Sequence, residues 1–467
     1  MLDNRNERIE DRKMKKFMSR NKGILLIVAG IMLLVSAVVF TQSGKEEDTR
    51  QSPKETKLWV LTDNHFIAPE LYDDGSEFAF IETTAAGKDL RYQQQSLEAL
   101  VANALKERPN EVILTGDLTL NGEYVSAEKL VELLNPLVEK NIKVRVIPGN
   151  HDIHDGWARK YENDEQIKAK QISPEDFREL FKDMGYEGAD SYDKESLSYK
   201  ESGTTAYDFY FLDSNKYTLE ASKSAPATGG RFRDETLQWL EDEFKKTAVN
   251  DKQPIVFMHH NLYPHNEAVS RGFVIDDAEE VRALYAKYHV AVVFSGHIHA
   301  QDILEKTIDG VNIPEVVNGA YSITPHGFGE VVVNEKGIEY SRKSVNVDTW
   351  AAETNQTDSK LLKHQAYLKE LFVNDGKALG YRSLLEKKIP NEDDLDAAAQ
   401  LVGQVNEEFF TGEDTRTPEE VEKIKAGKGY QTLEAYDSFL KKYIDSVLTD
   451  NNLEDTHLFI PNKKQTK

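Results

Sequence analysis

The 467-residue chain has no cysteine, and its basic residues are few compared with its acidic ones. The absence of cysteine excludes disulfide bonds and thiolate metal ligands, so a metal site must use imidazole, carboxylate or amide groups. Lysine and arginine number 58 against 81 aspartate and glutamate residues, which gives a net charge of -23. An acidic surface of this kind repels long nucleic acids, and a small anionic substrate would need bound cations to offset the repulsion.

Long apolar runs are also rare, and the most prominent one lies near the N-terminus. Residues 24–40 are apolar and uncharged, and the preceding segment, 1–23, is basic. The run is near the lower length limit for a membrane span, and no clear small-residue cleavage signal follows it. We therefore predict a single-pass cell-membrane anchor of a bacterial protein, with 1–23 in the cytoplasm, 41–55 as a linker and the remainder extracytoplasmic. A cleaved signal peptide and a secreted protein are the alternative.

Residues 56–345 alternate short apolar strands with amphipathic helices, which predicts an α/β domain. Strands are predicted at 58–62, 111–115, 143–147, 254–258 and 290–295, and helices at 94–106, 126–139 and 276–288. Two polar stretches, 157–198 and 213–233, interrupt this alternation. Each is either a solvated excursion or a wall of the site, because long loops beside sites often carry function.

The strand pattern ends at Val345, and residues 346–467 predict a helical C-terminal domain. Helices are expected at 359–373, 395–410, 418–426 and 433–448. Their apolar residues are most simply core residues. A protein partner of this domain is an open alternative.

Five groups of polar residues follow the five predicted strands. They are Asp63-Asn64-His65, Gly116-Asp117, Gly149-Asn150-His151-Asp152, His259-His260 and Gly296-His297-Ile298-His299. Carboxylate, amide and imidazole groups bind divalent transition metals, and ligands gather at the carboxyl ends of strands in α/β sheets. One such group alone is commonly only a turn. Five in sequence predict one metal site.

In this order the groups resemble the motifs of the calcineurin-like metallophosphoesterase superfamily. Gly116-Asp117-Leu118-Thr119 and Met258-His259-His260 are similar to its class III cyclic nucleotide phosphodiesterase branch, although Asn261 stands where that branch commonly has proline. The resemblance implies a four-layer α/β/β/α sandwich for the catalytic domain. It also implies two metal ions, the first held by Asp63, His65, Asp117 and His299 and the second by Asp117, Asn150, His259 and His297.

Two adjacent cations can acidify a water and neutralise phosphoryl oxygens, so the expected reaction is attack of a bridging hydroxide on phosphorus. We expect His151 to protonate the leaving group and Asp152 to orient His151. The nitrogen and oxygen ligands suit Mn, Fe or Zn better than Mg. His260 could exchange roles with His259. Four further polar residues are placed outside the site: His154, His265 and His326 as surface or structural residues, and Asn121 as a turn residue or a substrate contact.

The resemblance predicts a phosphodiesterase for a cyclic nucleotide or a similar small phosphodiester. A phosphomonoesterase or a hydrolase of envelope glycerophosphodiesters is an alternative enzyme. A catalytically silent, membrane-anchored scaffold is the alternative from a different class, because fold alone does not establish activity.

Overall fold

Two mixed β-sheets form the centre of the protein in the computed structural model, which describes residues 53–449 and 454–462. In chain order the strands are β1 (Glu55–Leu61), β2 (Glu111–Thr115), β3 (Lys143–Ile147), β4 (Arg159–Glu162), β5 (Glu165–Lys168), β6 (Ser191–Tyr192), β7 (Tyr199–Ser202), β8 (Tyr207–Leu212), β9 (Gln253–Met258), β10 (Val292–Ser295), β11 (Asp302–Ile308), β12 (Val311–Val317), β13 (Gly327–Asn334), β14 (Gly337–Ser344) and β15 (His457–Pro461). The first sheet has the order β15-β14-β13-β1-β2-β3, and the second has the order β11-β12-β10-β9-β8-β7-β6.

Helices cover the outer faces of the sheets and form most of the C-terminal region. They are α1 (Ser76–Thr84), α2 (Gln93–Glu107), α3 (Tyr124–Glu139), α4 (Pro174–Leu180), α5 (Asp234–Val249), α6 (Ala278–Lys287), α7 (Val347–Glu353), α8 (His364–Leu385), α9 (Glu392–Thr411), α10 (Pro418–Lys425), α11 (Lys428–Tyr436) and α12 (Ser438–Leu448). This is a mixed α/β fold with a helical C-terminal region, as the family resemblance implies.

The core between the sheets is built from aromatic side chains. The rings of Phe211, Phe257 and Phe294 stack across β8, β9 and β10, with centroids 5.1 and 5.3 Å apart. Phe294 also lies 6.2 Å from Tyr340 of the first sheet. Large stacked rings bury much apolar surface, so they fix the two sheets against each other.

The amphipathic helices pack where their apolar spacing predicts. On α2 and α3 the buried residues recur every three or four positions, as Leu97, Leu100 and Ala104 and as Leu130, Leu134 and Leu137. A stripe of this spacing lies on one face of a helix, so these helices cover the first sheet. Helices α5 and α6 share a second apolar cluster with β8, β9 and β10. The layers of this domain therefore follow the order helix, sheet, sheet, helix.

Strand direction brings the predicted ligand groups to one edge. Strands β1, β2 and β3 are parallel, with Leu61 opposite Leu114, and β9 and β10 are parallel in the second sheet. The carboxyl ends of parallel strands meet at the same edge of a sheet, so the polar groups that follow these strands converge.

Helices α8 and α9 pack closely because small residues face each other. A Cβ added at Gly376 would lie 3.0 Å from the Cα of Gly403, and one added at Gly380 would lie 3.0 Å from the Cα of Ala399. Val402, Val405 and Phe409 of α9 share an apolar cluster with Ile298, which lies in the Gly-His-x-His loop. The helical region therefore packs directly on the edge of the sandwich that carries the predicted ligands.

Two details of the C-terminal region differ from the sequence predictions. The strand pattern does not stop at Val345, since β15 pairs with β14 at the edge of the first sheet. The helix predicted at 433–448 is two helices, because the side chain of Asp437 accepts hydrogen bonds from the amides of Phe439 and Leu440 and caps a new helix start.

The stretch 157–198 is folded rather than a simple solvated loop. It contains the β4-β5 hairpin, and helix α4 begins with a reciprocal cap between Ser173 and Asp176. Phe177 and Phe181 are fully buried.

The membrane anchor predicted at 24–40 lies outside the described residues. Among the residues described, none of the helices combines the length and the apolar character needed to cross a membrane.

Candidate metal centre

The predicted ligands share an unusual backbone conformation. Asp63, His65, Asp117, His297 and His299 all have positive φ, between 44° and 68°. Residues other than glycine rarely have a positive φ, and those that do concentrate at functional sites. The left-handed turns directly after the strands redirect the chain at each strand end, so that the side chains gather at one point.

Four side chains form the first group. Asp63, His65, Asp117 and His299 offer ligand atoms within 4.8 Å of one another. The Nε2 atoms of His65 and His299 are 3.1 Å apart, and His299 Nε2 is 3.2 Å from Asp63 Oδ1. Neighbouring ligands around an ion with bonds of about 2.0–2.2 Å have this kind of spacing.

The second group contains Asp117, His259 and His297, with Asn150 beside them. The Oδ1 atom of Asn150 lies 3.2 Å from His259 Nε2. Asp117 Oδ2 is 3.5 Å from His259 Nε2 and 3.6 Å from His65 Nε2, so one carboxylate oxygen faces both groups. This is the position of a ligand that bridges two ions, and the two groups are the two sets that the resemblance implies.

Backbone carbonyls orient two of the ligand imidazoles. His259 Nδ1 lies 3.0 Å from the carbonyl oxygen of Thr115, and His297 Nε2 lies 2.9 Å from that of Thr228. A carbonyl only accepts, so each of these nitrogens carries a proton and the other ring nitrogen faces the centre. His259 Nε2 and His297 Nδ1 are therefore the nitrogens that would bind an ion.

His260 points away from the centre. Its Nδ1 is 2.8 Å from Ser214 Oγ, and its Nε2 is 3.1 Å from the carbonyl oxygen of Thr228. Ser214 and Thr228 belong to the polar stretch 213–233, so this loop forms part of the wall of the site. The structure thus turns His259 inward and His260 into the supporting layer.

The buried groups of the centre fit a divalent metal better than they fit one another. Asp63 Oδ1 and His65 Nδ1 are buried and have no hydrogen-bond partner in the described part of the chain. Burial lowers the pKa of His65 well below its ordinary value and that of His297 to about 4, which keeps both rings neutral. Neutral imidazoles and ionised carboxylates are the forms that bind metals.

Asp117 has the electrostatics of a charged ligand. Burial opposes its ionisation, but the neighbouring His259 and His151 hold its pKa well below the ordinary value. Burial likewise opposes a charge on His259, and Asp117 outweighs burial and raises the pKa of His259 to about 9. A proton on His259 thus occupies the position that an ion between these two groups would take. When bound, two divalent ions supply Lewis acidity to phosphoryl oxygens and acidify water.

His151 lies at the rim, with its ring centroid 5.2 Å from that of His65. Its Nδ1 is 3.2 Å from Asp155 Oδ2 and 3.3 Å from Asn121 Oδ1. Burial opposes its charged form, but Asp117 and the hydrogen bond to Asp155 raise its pKa above the ordinary value. A ring held at Nδ1 by a carboxylate can donate a proton from Nε2 to a leaving oxygen.

The prediction that Asp152 orients His151 is wrong. The Asp152 carboxylate accepts hydrogen bonds from the backbone amides of Leu118, Thr119 and Gly149. These contacts tie the Gly-Asp and Gly-Asn-His-Asp loops together, and Asp155 has the role that we assigned to Asp152. Asp155 was missed because it does not follow a strand directly, although its i, i+4 spacing from His151 was visible in the sequence. Asn121, left outside the site as a turn residue or a substrate contact, lies beside His151.

The three histidines that the sequence analysis placed outside the site, His154, His265 and His326, are all buried and have polar partners. His154 Nδ1 lies 2.7 Å from the carbonyl oxygen of Thr218. His265 lies between Asp302 and Glu315. His326 lies in a third buried group with Asp89 and His364.

An apolar cavity of about 220 Å³ adjoins the centre, between the sandwich and the helical region. Phe273 and Ile298 line it from the sandwich, and the Phe273 ring lies 5.1 Å from the ring of His297. The helical side contributes Leu379, Asn406, Phe409, Phe410, Phe439, Leu440 and Tyr443. A second cavity of about 370 Å³ lies beside Asn150 and is lined by Lys216, Tyr217 and other residues of the 213–233 loop.

Comparison with known proteins gives matches for both parts of the chain. Residues 56–301 match the family described as calcineurin-like phosphoesterase, and residues 346–454 match the family described as the C-terminal domain of cyclic nucleotide phosphodiesterase. A glycerophosphodiester phosphodiesterase, GpdQ, of Enterobacter lignolyticus is 26% identical over 244 residues, which cover 51% of this chain and 69% of that protein. A probable GpdQ of Arcobacter nitrofigilis is 26% identical over 209 residues, which cover 42% of this chain and 59% of that protein.

Among solved structures, a dimetal phosphatase from Danio rerio aligns with a TM-score of 0.45 at 14% identity, over 62% of this chain and 96% of that one. The calcineurin-like match spans more than half of the chain and contains all the ligand groups described above. The chain belongs to the calcineurin-like phosphoesterase family, and its clustered ligand groups are consistent with a dinuclear metal site.

Proposed function

We propose that this enzyme hydrolyses a small phosphodiester that carries a heteroaromatic ring, with a cyclic nucleotide as the best candidate. The observation that carries the proposal is the apolar cavity beside His297, whose helical wall is aromatic. Apolar pockets with a few placed polar groups bind the organic part of small ligands. A nucleobase stacks on aromatic side chains, whereas a glycerol group has no ring to stack.

Two asparagines in the cavity wall favour a substrate whose ring carries hydrogen-bond acceptors. Asn406 Oδ1 accepts a hydrogen bond from the Tyr443 hydroxyl, which leaves the Asn406 amide NH₂ as a donor. Asn266 Oδ1 accepts from the amides of Ala268 and Val269, and its buried Nδ2 has no partner among the described residues. Both residues line the cavity. Two amide donors beside aromatic walls suit the ring nitrogens and carbonyl oxygens of a base.

The match of residues 346–454 to a domain described for cyclic nucleotide phosphodiesterase supports the same substrate class, because this domain supplies most of the cavity wall. In the proposed reaction, Asp63, His65, Asp117 and His299 would hold one Mn, Fe or Zn ion, and Asp117, Asn150, His259 and His297 the other. His151, held by Asp155, would protonate the leaving oxygen. We also propose that residues 24–40 anchor the protein in the cell membrane and that the catalytic domain lies outside the cytoplasm.

Hydrolysis of glycerophosphodiesters is the second candidate, and it is favoured by the names of the two relatives. The cavity beside Asn150, whose lining includes Thr218, Ser222 and Ser224, offers hydroxyl partners for a polar alcohol group. The two candidates therefore differ in which of the two cavities holds the organic group.

The first test is turnover of an activated phosphodiester and an activated phosphomonoester by the purified protein with added manganese. We expect a higher kcat/KM for the diester. A preference for the monoester would support the phosphomonoesterase alternative, and the absence of turnover of either compound in metal-replete buffer would support the scaffold.

The second test compares 3′,5′-cyclic nucleotides with glycerophosphodiesters, for the wild type and for Phe439→Ala. Phe439 lines the cavity and is 57% exposed, and Phe80, also 57% exposed, lies on α1 outside the cavity lining and provides the matched control Phe80→Ala. Loss of one stacking ring should lower kcat/KM for the cyclic nucleotide roughly tenfold and leave the glycerophosphodiester unchanged. Better turnover of glycerophosphodiesters, unaffected by Phe439→Ala, would overturn the cyclic nucleotide assignment.

A further inference from the structure

A third group of metal-ligand side chains lies where the helical region meets the sandwich. Asp89 precedes α2, His326 precedes β13 and His364 is the first residue of α8; all three side chains are fully buried. The Nε2 atoms of the two histidines are 3.0 Å apart. Asp89 Oδ2 lies 3.2 Å from His364 Nε2 and 4.0 Å from His326 Nε2.

His326 is oriented in the way that metal-binding histidines are. Its Nδ1 lies 2.6 Å from the carbonyl oxygen of Tyr321, so Nδ1 carries the proton and Nε2 directs a lone pair at the other two side chains. His326 also has a positive φ, 57°, like the ligands of the dinuclear centre. This backbone conformation is uncommon outside glycine and again turns an imidazole toward a buried group.

Hydrogen bonds within the chain leave part of this group unsatisfied. Asp89 Oδ1 accepts from the backbone amide of Tyr92, but Asp89 Oδ2 and His364 Nδ1 are buried and have no hydrogen-bond partner among the described residues. A proton on His364 Nε2 would lie within reach of both His326 Nε2 and Asp89 Oδ2, so it could not fully satisfy both acceptors. A divalent cation would pair with both imidazoles and the carboxylate at once, which removes the cost of an unsatisfied buried polar atom.

The distances also fit a cation. Neighbouring ligand atoms around a tetrahedral zinc ion with bonds of about 2.0–2.1 Å lie about 3.3 Å apart. The three separations of 3.0, 3.2 and 4.0 Å bracket that value. Two imidazoles and one carboxylate are a donor set that zinc and ferrous iron accept, with water in the remaining position.

We propose that Asp89, His326 and His364 bind a third divalent transition-metal ion, separate from the dinuclear centre, which fastens the start of α8 to the sandwich. The loop that carries His326 also supports the centre, since the Ser322 hydroxyl donates a hydrogen bond of 2.8 Å to the carbonyl oxygen of Asp63. The Asp89 amide donates to the carbonyl oxygen of Ser322. The third ion therefore stabilises both the helical wall of the apolar cavity and the backbone behind a ligand of the catalytic centre.

The test is the metal content of the full-length protein after chelation, reloading with zinc and removal of excess metal. Elemental analysis should give three zinc ions per chain for the wild type and two for His364→Gln. Asp89→Asn, which is isosteric and keeps an oxygen for the Tyr92 amide, should also give two. His265→Gln is the matched control, because the His265 side chain is also fully buried but both of its ring nitrogens already contact carboxylates. This variant should retain three zinc ions.

A second measurement keeps the proposal testable if a variant fails to fold. Anomalous diffraction at the zinc absorption edge, from crystals of the reloaded wild type, should show a peak between the His326 and His364 rings as well as two peaks at the dinuclear centre. Equal zinc content in the wild type and both variants, or density at this position without an anomalous signal, would show a hydrogen-bonded His-His-Asp group without a metal and overturn the proposal.

Discussion

The dinuclear centre and the surroundings of His265 both bury histidines among carboxylates, but their ring nitrogens meet different partners. His265 Nδ1 contacts Asp302, and its Nε2 lies 2.9 Å from Glu315 Oε2, so a proton on each nitrogen satisfies the whole group. At the centre, a carbonyl occupies one nitrogen of His259, and the other faces acceptor oxygens of Asp117 and Asn150. The first arrangement is complete with protons alone, whereas the centre buries Asp63 Oδ1 without a hydrogen-bond partner among the described residues, as a site built for a metal ion would.

The substitution with the largest expected effect is Asp117→Asn, which tests whether the centre binds two metal ions. A neutral amide bridges two cations poorly, so we expect turnover to fall by roughly a thousandfold or more and the metal content to fall with it. The melting temperature should show that the fold is kept. Turnover and metal content are measured in metal-replete buffer with His265→Gln as control, and near wild-type activity would contradict the dinuclear assignment.

His151→Ala tests the proton donor rather than the metals. Turnover should fall by roughly ten- to ten-thousandfold while metal content stays the same. An activated aryl leaving group needs little protonation, so it should suffer less than an alkyl one. Parallel kinetics on the two substrate types measure this difference. Equal losses would mean that His151 positions the substrate instead of protonating it.

Asp155→Asn and Asp152→Asn separate the two carboxylates beside His151. Asp155 contacts the imidazole, so Asp155→Asn should lower turnover roughly tenfold, with the larger loss on alkyl leaving groups. Asp152 binds three backbone amides, so Asp152→Asn should mainly lower the melting temperature. The readout is the leaving-group dependence of kcat/KM for each variant. The same dependence in both would contradict the assignment of Asp155.

His265→Gln should have the smallest effect on activity per folded molecule, because it touches no predicted ligand. Removing one member of a buried ion-paired group should lower the free energy of unfolding by roughly 3–5 kcal/mol. Burial opposes the charge on His265, but Glu315 and Asp302 raise its pKa to about 10, against an unfolded value of about 6.5.

A raised pKa in the folded state means that the stabilisation is fully present below about pH 6.5 and is lost as the pH rises to about 10. The difference in unfolding free energy between the wild type and His265→Gln should therefore shrink over this interval. Denaturant unfolding at several pH values measures it. A difference that grows with pH would show that His265 is not held as an imidazolium.

Much of the fold could be predicted because its signals are local. The strands at 111–115 and 143–147 have the predicted ends, and α2 and α3 differ from prediction by one or two residues, since apolar periodicity records which face is buried. The break at Asp437 and strand β15 were missed. The first depends on one capping side chain, and the second on an edge that only the folded sheet offers.

The family and the candidate ligand groups could be identified from the sequence alone, because each group directly follows a strand and the order of the groups along the chain is distinctive. Tertiary structure decided which neighbour supports which ligand. Asp155 rather than Asp152 holds His151, and the Asp89, His326 and His364 side chains meet although hundreds of residues separate the first from the others. The physical reason is that hydrogen-bond partners and buried ligands are chosen by distance in space, which the linear order of residues does not record.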